Sequence, residues 1–243
     1  AEVERYCMFI GYPRYGHSMV GCLVSAPRRA VIGNEVDALR YVRLGFSREQ
    51  IYDLVLRSDA AFTARGRQAF VHNYAVTGQW QGQCERLRVI GDKKGGNSTW
   101  QLAAHPDLLD RLAARVRDPL RIIHVTRNPY DNVGAIYRMP AWSGDLAGAA
   151  RRYAQLADGV AELRRRIDPA ALLELRHEDL IAEPAVTLRA VTDFLGLDAP
   201  ADYLAACAAI LYDQPNRVRD QVEWPAGVRD YVAAVIAGHD FLR

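Results

Sequence analysis

The chain alternates between short apolar runs and longer segments whose apolar residues recur at helical spacing. The apolar runs predict five strands, at residues 8–10, 28–32, 87–90, 120–126 and from residue 172 onward. The longer segments predict helices at residues 18–26, 36–41, 47–63, 99–116, 129–136, 145–167, 184–195 and 203–211, followed by a C-terminal helix. Strands that alternate with helices in this way are typical of an α/β fold.

Residue types at several boundaries support these helices. Ser47 and Gln50 have the spacing of a capping box, and Gly196 stands where a helix should stop. Pro129 suits the first turn of a helix. Pro106 either begins a second helix or kinks the helix predicted at residues 99–116.

Composition limits the class of protein. With 243 residues, half of them hydrophobic, the chain is most simply one domain spanning residues 1–243. A formal net charge of +2 is too small to indicate a nucleic-acid-binding protein, so any anion site must be local. The four cysteines, without a C-x-x-C pair or a nearby histidine cluster, predict reduced thiols and no metal site.

The same sequence bears on location. It has no signal-peptide pattern and no apolar run near the ~20 residues that span a bilayer, which predicts a cytoplasmic protein. Ala1 in place of a methionine predicts a trimmed chain or a domain of a longer protein.

The first predicted strand leads into a loop that should bind an anion. A strand, a tight loop and a helix start direct backbone N–H groups at one point. Residues 11–18 keep the glycine spacing and final hydroxyl of G-x-x-x-x-G-K-[ST], but His17 replaces the lysine. The positive charge stands at Arg14 instead, which argues against ATP chemistry.

Three further positions are candidates for chemistry. Glu35 follows the second strand, either as a first-turn acid of the next helix or as a catalytic carboxylate facing the loop. Lys93 and Lys94 follow the third strand, and one ammonium can reach back over the sheet edge. His72 lies in an irregular aromatic segment, residues 70–83, that suits either a pocket wall or a surface loop.

Several of these motifs resemble sulfotransferases that use 3′-phosphoadenosine-5′-phosphosulfate (PAPS). Residues 12–18, Tyr-Pro-Arg-Tyr-Gly-His-Ser, resemble the loop that binds the 5′-phosphosulfate. Residues 127–131, Arg-Asn-Pro-Tyr-Asp, resemble the motif whose arginine binds the 3′-phosphate, although Ala135 replaces its final serine. Residues 175–184 and 194–197 resemble a further segment of the family, in which His177 replaces a tyrosine that helps to hold adenine.

The resemblance implies a fold and a donor site. The fold would be three layers, a central parallel sheet flanked by helices, related to P-loop nucleotide folds. The residues implied in donor binding are Arg14, Tyr15, Gly16, His17, Ser18, Arg127, His177 and, in a basic loop near the C-terminus, Arg217 and Arg219.

It also implies a mechanism without a metal ion. Lys93, with Lys94 in reserve, would contact the transferring group. Glu35 would be the general base, because some bacterial members place theirs after the second strand, and His72 is the second choice. The acceptor would be a hydroxyl of a small molecule such as a natural product, a glycan, a lipid or a carrier-bound chain, with the aromatic segment from Phe70 to Gln83 facing it. Assembly as a homodimer is left open.

Two alternatives remain at this stage. One is a P-loop kinase or NTPase, which the histidine at position 17 disfavours. The other is a nucleotide-binding protein that keeps the fold without catalysis. Ala135, together with the lack of a histidine after Lys93, supports the second alternative.

Overall fold

The structure is a computed structural model that describes residues 3–69, 72–142 and 144–243. The strands are β1 (Arg5–Ile10), β2 (Ala30–Asn34), β3 (Gln68–Ala69), β4 (His72–Asn73), β5 (Val89–Lys93), β6 (Leu120–Thr126) and β7 (Leu172–Arg176). The α-helices are α1 (His17–Val24), α2 (Ala38–Arg43), α3 (Arg48–Ala64), α4 (Gly96–Ala104), α5 (Leu108–Val116), α6 (Pro129–Tyr137), α7 (Leu146–Arg166), α8 (His177–Ala182), α9 (Pro184–Leu195), α10 (Ala201–Ala208) and α11 (Ala226–Gly238). Ala1 and Phe70, which the sequence analysis singled out, lie outside the described residues.

Five strands form one parallel sheet in the order β2-β5-β1-β6-β7. Strand β1 therefore lies at the centre, with β5 and β2 on one side and β6 and β7 on the other. Because all five strands run in the same direction, their carboxyl ends meet at one edge of the sheet. The loops after these ends carry most of the residues that the sequence marks as functional.

The sheet has helices on both faces, as the alternation of side chains along β1 shows. Cys7 and Phe9 belong to one hydrophobic cluster, which includes buried residues of α1, α6, α7 and α9. Tyr6, Met8 and Ile10 belong to a second cluster, which includes buried residues of α2, α3 and α5. Successive side chains of a strand point to opposite faces, so β1 contributes to both cores. The predicted three-layer α/β fold is confirmed.

Most predicted elements are present, although several boundaries differ. The capping box at the start of α3 forms both of its hydrogen bonds, and the helix predicted at residues 99–116 divides into α4 and α5 before and after Pro106. Strand β2 begins and ends two residues later than predicted. Strand β5 continues through Gly91 and Asp92 to Lys93, beyond the predicted end at residue 90. Pairing with β1 extends β5, and a Cβ on Gly91 would lie 2.0 Å from the Cys7 carbonyl oxygen.

The irregular segment after α3 is anchored by buried polar groups. Arg67 is 2% exposed and forms an ion pair with Asp59, which is 1% exposed and also accepts a 3.0 Å hydrogen bond from Ser25. Gln81 donates to the Cys22 carbonyl of α1 over 2.9 Å. These bonds hold the β3–β4 hairpin segment beside α1. None of the helices in the described ranges is long and apolar enough to cross a membrane.

Candidate active site

The candidate site lies at the carboxyl edge of the sheet, around the loop that follows β1. This first loop consists of residues 11–16 and ends where α1 begins. The other candidate residues follow the ends of neighbouring strands: Glu35 after β2, Lys93 at the end of β5, Arg127 after β6 and His177 after β7. The strand order therefore places Glu35 and Lys93 on one side of the first loop and Arg127 and His177 on the other.

The first loop is braced from both sides. Thr99 Oγ1 accepts a 2.7 Å hydrogen bond from the Gly11 N–H, and Asn132 Nδ2 donates over 2.6 Å to the Pro13 carbonyl. Arg14 and Gly16 both have positive φ, at 63° and 100°. Among the described residues, no side chain caps the N-terminus of α1. The first N–H groups of α1 thus remain available to an anion.

An acid-base cluster lies beside this loop. Lys93 Nζ is 2.5 Å from Glu35 Oε1 and donates over 3.0 Å to Ser18 Oγ. Lys94 Nζ is 3.0 Å from Glu35 Oε2, and His17 Nε2 is 3.7 Å from Oε1. Lys93 is 3% exposed, whereas the Glu35 side chain is 42% exposed. The carboxylate is therefore open to solvent on one side and surrounded by cationic or donor groups on the other.

The surroundings change the protonation of both acidic and basic members of this cluster. Partial burial raises the pKa of Glu35, but the neighbouring His17 ring and the charge and hydrogen bond of Lys93 outweigh it and hold that pKa well below its usual range. Burial lowers the pKa of His17 to about 4, although Glu35 opposes this shift. Near neutral pH, Glu35 is therefore ionised and His17 is neutral.

Glu35 is not a first-turn acid of α2, which was one of the two readings of the sequence. Helix α2 begins at Ala38, and no acidic residue lies in its first turn. Instead, the buried carboxylate of Asp92 accepts hydrogen bonds from Val36 and Ala38 N–H groups, over 3.0 and 2.8 Å. Burial raises the pKa of Asp92 to about 6. Asp92 holds the turn from which Glu35 points toward Lys93.

Arg127 occupies the opposite side of the first loop. Its Nη1 donates over 3.3 Å to the Arg14 carbonyl, and its Nη2 donates to the Asn216 carbonyl. Its Nε is buried and has no hydrogen-bond partner among the described residues. Burial lowers the pKa of Arg127, and the charges of Arg14 and Arg219 act in the same direction. The Arg127 guanidinium therefore lies against the first loop, within electrostatic range of Arg14.

Side-chain bonds shape the turn that presents Arg127. Asn128 Oδ1 accepts from the Tyr130 and Asp131 N–H groups at the start of α6. Glu178 Oε1 accepts a 2.8 Å bond from the Asn128 N–H, so this acid fixes the corner. His177 packs against the first loop, since a Cβ on Gly16 would lie 2.3 Å from its Cδ2. Burial, aided by the charge of Arg127, lowers the pKa of His177 to about 4.

Three predicted donor-binding residues are occupied elsewhere. The Tyr15 ring is fully buried and stacks on His17, with 4.3 Å between the ring centroids. Its hydroxyl donates to the Ile10 carbonyl over 2.9 Å, so the side chain points into the core and away from the anion site. Arg219 Nη1 is 2.5 Å from Asp131 Oδ2, and Asp131 is 1% exposed. Arg217 is 62% exposed and pairs with Asp220 over 2.8 Å.

His72 lies beside two tyrosines. Its Nδ1 is 2.5 Å from the Tyr212 hydroxyl, and its ring centroid is 5.9 Å from that of Tyr74. Burial and the charge of Arg14 lower the pKa of His72. The aromatic group formed by His72, Tyr74 and Tyr212 therefore stands near Arg14 and the first loop. In the described part of the chain, no three His, Cys, Asp or Glu side chains are grouped to hold a metal ion.

Sequence reasoning missed the bracing residues. Thr99, Asn132, Asp92 and Asp131 each support the site, and Asp37 accepts from Asn97 and Gln101 of α4. Asp92 and Asp131 stand inside motifs that the sequence analysis quoted, directly before Lys93 and four residues after Arg127. Their buried partners are distant in sequence, which is why no local pattern revealed them.

Comparison with known proteins identifies the class. The model of the sulfotransferase family matches residues 29–201, which is more than half of the chain. The chain therefore belongs to the sulfotransferase family, and sulfuryl transfer is its general activity. Among proteins with curated descriptions, no sequence matches the chain.

Solved structures share the fold at low sequence identity. The sulfotransferase domain from the curacin biosynthetic pathway is 14% identical, with a TM-score of 0.60 over 98% of this chain and 98% of that chain. The sulfotransferase domain of the Synechococcus PCC 7002 olefin synthase is 16% identical, with a TM-score of 0.57 over 98% and 94%. Retinol dehydratase, solved with androsterone and the inactive cofactor PAP, is 11% identical, with a TM-score of 0.51 over 97% and 81%.

Proposed function

We propose that this protein transfers a sulfuryl group from PAPS to a hydroxyl of a small-molecule, glycan or lipid acceptor. The observation that carries the proposal is the arrangement around the first loop. Glu35 and Lys93 lie on one side of it and Arg127 on the other, all at the carboxyl edge of the parallel sheet. Cationic groups on both sides of the loop suit a donor with anionic groups at both ends of an adenosine.

The chain's own groups fit such a donor. Arg14 and the backbone N–H groups of Gly16, His17 and Ser18 would hold the 5′-phosphosulfate at the start of α1. Arg127 would bind the 3′-phosphate, and its buried Nε, without a partner in the described part of the chain, offers an additional donor. His177, next to Gly16 and Arg127, would contact the adenosine. The PAP found in retinol dehydratase supports this choice of donor.

The bound donor supplies a sulfuryl group, whose bond to the 5′-phosphate oxygen breaks as a new S–O bond forms to the acceptor. Glu35 would take the proton of the acceptor hydroxyl, a contribution of roughly 10²–10⁴ in rate. Lys93 would stabilise the negative charge that develops on the leaving phosphate oxygen. Positioning and charge stabilisation account for this mechanism without a metal ion.

The charges explain how Glu35 becomes basic enough. In the free protein Lys93 pairs with Glu35, which makes the carboxylate a weak base. When Lys93 turns to the anionic donor, its charge is shared and the proton affinity of Glu35 increases. The base thus becomes active only when the donor site is filled.

The acceptor would approach along the side of the first loop that carries aromatic residues. His72, Tyr74 and Tyr212 form this side, near Arg14 and Ser18. Aromatic rings with polar edges suit an acceptor that has an apolar body and one reactive hydroxyl. His72 remains the second choice for the base.

Calorimetry and a transfer assay test the proposal together. We expect adenosine 3′,5′-bisphosphate to bind more tightly than ATP, because the proposal assigns its 3′-phosphate to Arg127 and its 5′-phosphate to the first loop. Glu35→Gln should keep this binding and lose transfer by at least about 10²-fold. His72→Ala tests the second choice for the base and should lose less of the rate than Glu35→Gln. Tighter binding of ATP would contradict the assignment of PAPS as the donor. Full transfer by the Glu35→Gln variant would contradict the assignment of Glu35 as the base.

A further inference from the structure

Two lysines hold Glu35 by different oxygens. Lys93 Nζ binds Oε1 at 2.5 Å, and Lys94 Nζ binds Oε2 at 3.0 Å. The Glu35 N–H also donates to the Lys93 carbonyl over 3.0 Å, and Glu35 has a φ of 62°. A left-handed conformation is unfavourable for a residue with a side chain. The side-chain pairs and the bond to the Lys93 carbonyl therefore help to hold a backbone conformation that is unfavourable for a residue with a side chain.

These two residues are the only lysines in the chain, which has 29 arginines. Lysine carries a compact, point-like charge on a flexible stem, whereas arginine presents a rigid planar group. Each lysine can thus address one carboxylate oxygen at a time. Their scarcity also makes the pair accessible to experiment, because lysine-specific labels report on this cluster alone.

The surroundings of the two lysines differ. Lys93 is 3% exposed and its ammonium also bonds to Ser18, at the start of α1. Lys94 is 26% exposed and lies at the rim of the cluster. Under the proposed function, Lys93 is therefore directed toward the donor, while Lys94 is bonded to the oxygen on the opposite side of the carboxylate. His17, like Lys93, lies nearer to Oε1, at 3.7 Å.

We propose that Lys94 is a positioning residue for the Glu35 base. Its ammonium stays bonded to Oε2, so that Oε1 is the oxygen that receives the proton of the acceptor. The proposal rests on the proposed function for the roles of Glu35 and Lys93. It gives the two lysines different roles, because Lys93 acts on the donor and Lys94 acts only through Glu35. Lys94 thereby holds the orientation of the base and contributes to the pH at which the base works.

Several charged or titratable groups face Glu35, and Lys94 is one contributor among them. Lys93 and Lys94 come from β5 and the residue after it, and His17 comes from α1. Asp92 and Tyr15 also lie within electrostatic range of Glu35. Once Lys93 shares its charge with the donor, Lys94 is the remaining lysine on the carboxylate. Removing it should therefore raise the pKa of Glu35 in the working enzyme.

The first experiment uses the two lysines as probes. Lysine labelled with ¹³C at Cε should give two side-chain signals, and Lys94→Arg assigns them. We expect adenosine 3′,5′-bisphosphate to move the Lys93 signal and leave the Lys94 signal in place. We expect Glu35→Gln to move the Lys94 signal in the free protein. A Lys94 signal that follows the nucleotide and ignores Glu35→Gln would overturn the proposal.

The second experiment is a pH profile of transfer. Lys94→Gln should lower kcat about tenfold, leave the KM for the donor within about twofold, and move the acidic limb upward by about one pH unit. Lys94→Arg, which keeps the charge, should restore most of the rate. Arg57→Gln, at a residue 77% exposed on α3, removes one positive charge elsewhere and should leave the profile as in the wild type.

Two outcomes separate this proposal from the proposed function. If Lys94→Gln raises the KM for the donor as strongly as Lys93→Gln does, Lys94 binds the donor and the positioning role is wrong. If the wild-type protein neither binds the bisphosphate nor transfers sulfuryl groups, the proposed function fails first. The response of the Lys94 signal to Glu35→Gln in the free protein tests the contact between them in either case.

Discussion

The two sides of the first loop use positive charge in different ways. On the side of β5, Lys93 and Lys94 pair directly with the carboxylate of Glu35, which is 42% exposed. On the side of β6, the hydrogen bonds of Arg127 go to two backbone carbonyls. Carbonyl oxygens satisfy a guanidinium without neutralising it, whereas a carboxylate balances an ammonium.

The two arrangements of positive charge suit two tasks, ligand binding and catalysis. A cation bonded only to carbonyls keeps its charge for an anionic ligand, which favours affinity. A cation paired with a movable carboxylate changes the behaviour of that carboxylate when an anion arrives, which favours catalysis. A third cation, Arg219, pairs with Asp131, which is 1% exposed, so its guanidinium mainly supports the corner. We therefore expect substitutions on the two sides to affect different measurements.

The largest effect should come from the support of the Arg127 side. Asp131→Ala removes the bonds to the Arg219 guanidinium and to the Arg219 N–H. We expect the free energy of unfolding to fall by about 2–3 kcal/mol, measured by urea denaturation, because hydrogen bonds to a buried charge are lost. Asp220→Ala is the control, since Asp220 is 53% exposed and pairs with exposed Arg217. Equal effects of the two substitutions would mean that Arg219 is not a structural cation.

The next largest effect concerns affinity. Arg127→Ala should weaken binding of adenosine 3′,5′-bisphosphate by at least about tenfold, or about 1.4 kcal/mol, measured by calorimetry. Arg217→Ala should weaken it less, because Arg217 is 62% exposed and screened by solvent. Undiminished affinity after Arg127→Ala would show that Arg127 does not bind the 3′-phosphate. The proposed difference between the two sides of the first loop would then also be wrong.

The smallest effect is a pH dependence that originates on the Glu35 side. Burial lowers the pKa of His17 to about 4, whereas an unfolded chain has a histidine pKa of about 6.5. Between these values the unfolded chain binds more protons, so stability rises with pH. The contribution of His17 is full above about pH 6.5 and is lost as the pH falls toward 4.

His17→Gln should therefore reduce the pH dependence of the free energy of unfolding, by about 0.7 kcal/mol between pH 7 and pH 6. Denaturation curves at both values measure it. His177→Gln provides the matched test on the other side, because burial and the charge of Arg127 lower the pKa of His177 to the same value. An unchanged slope after His17→Gln would show that this histidine is not held neutral.

Local patterns predicted the elements that depend on neighbouring residues. The strand at residues 120–126, the helix at residues 184–195 and the capping box at Ser47 all have the predicted bounds or bonds. These features depend on apolar spacing, on turn residues and on backbone groups a few positions away.

Long-range partners were not predictable in the same way. The side chain of Tyr15 reads as part of a binding loop, yet its ring turns inward and its hydroxyl bonds to Ile10. Arg219 reads as a free basic residue, yet it pairs with Asp131, 88 positions away. Nothing in the local sequence distinguishes a loop side chain that faces a ligand from one that fills the core beneath it.

The sequence by itself determined the chemical groups: an arginine-bearing glycine loop, a second arginine after a buried strand, and a glutamate and two lysines that follow strands. Only the tertiary structure decided which groups meet. The order β2-β5-β1-β6-β7 brings Glu35 within 2.5 Å of Lys93 across 58 positions of sequence, and it places Arg127 on the far side of the loop. The reason is that strand order depends on the packing of both helical layers at once, whereas each motif depends only on its own few residues.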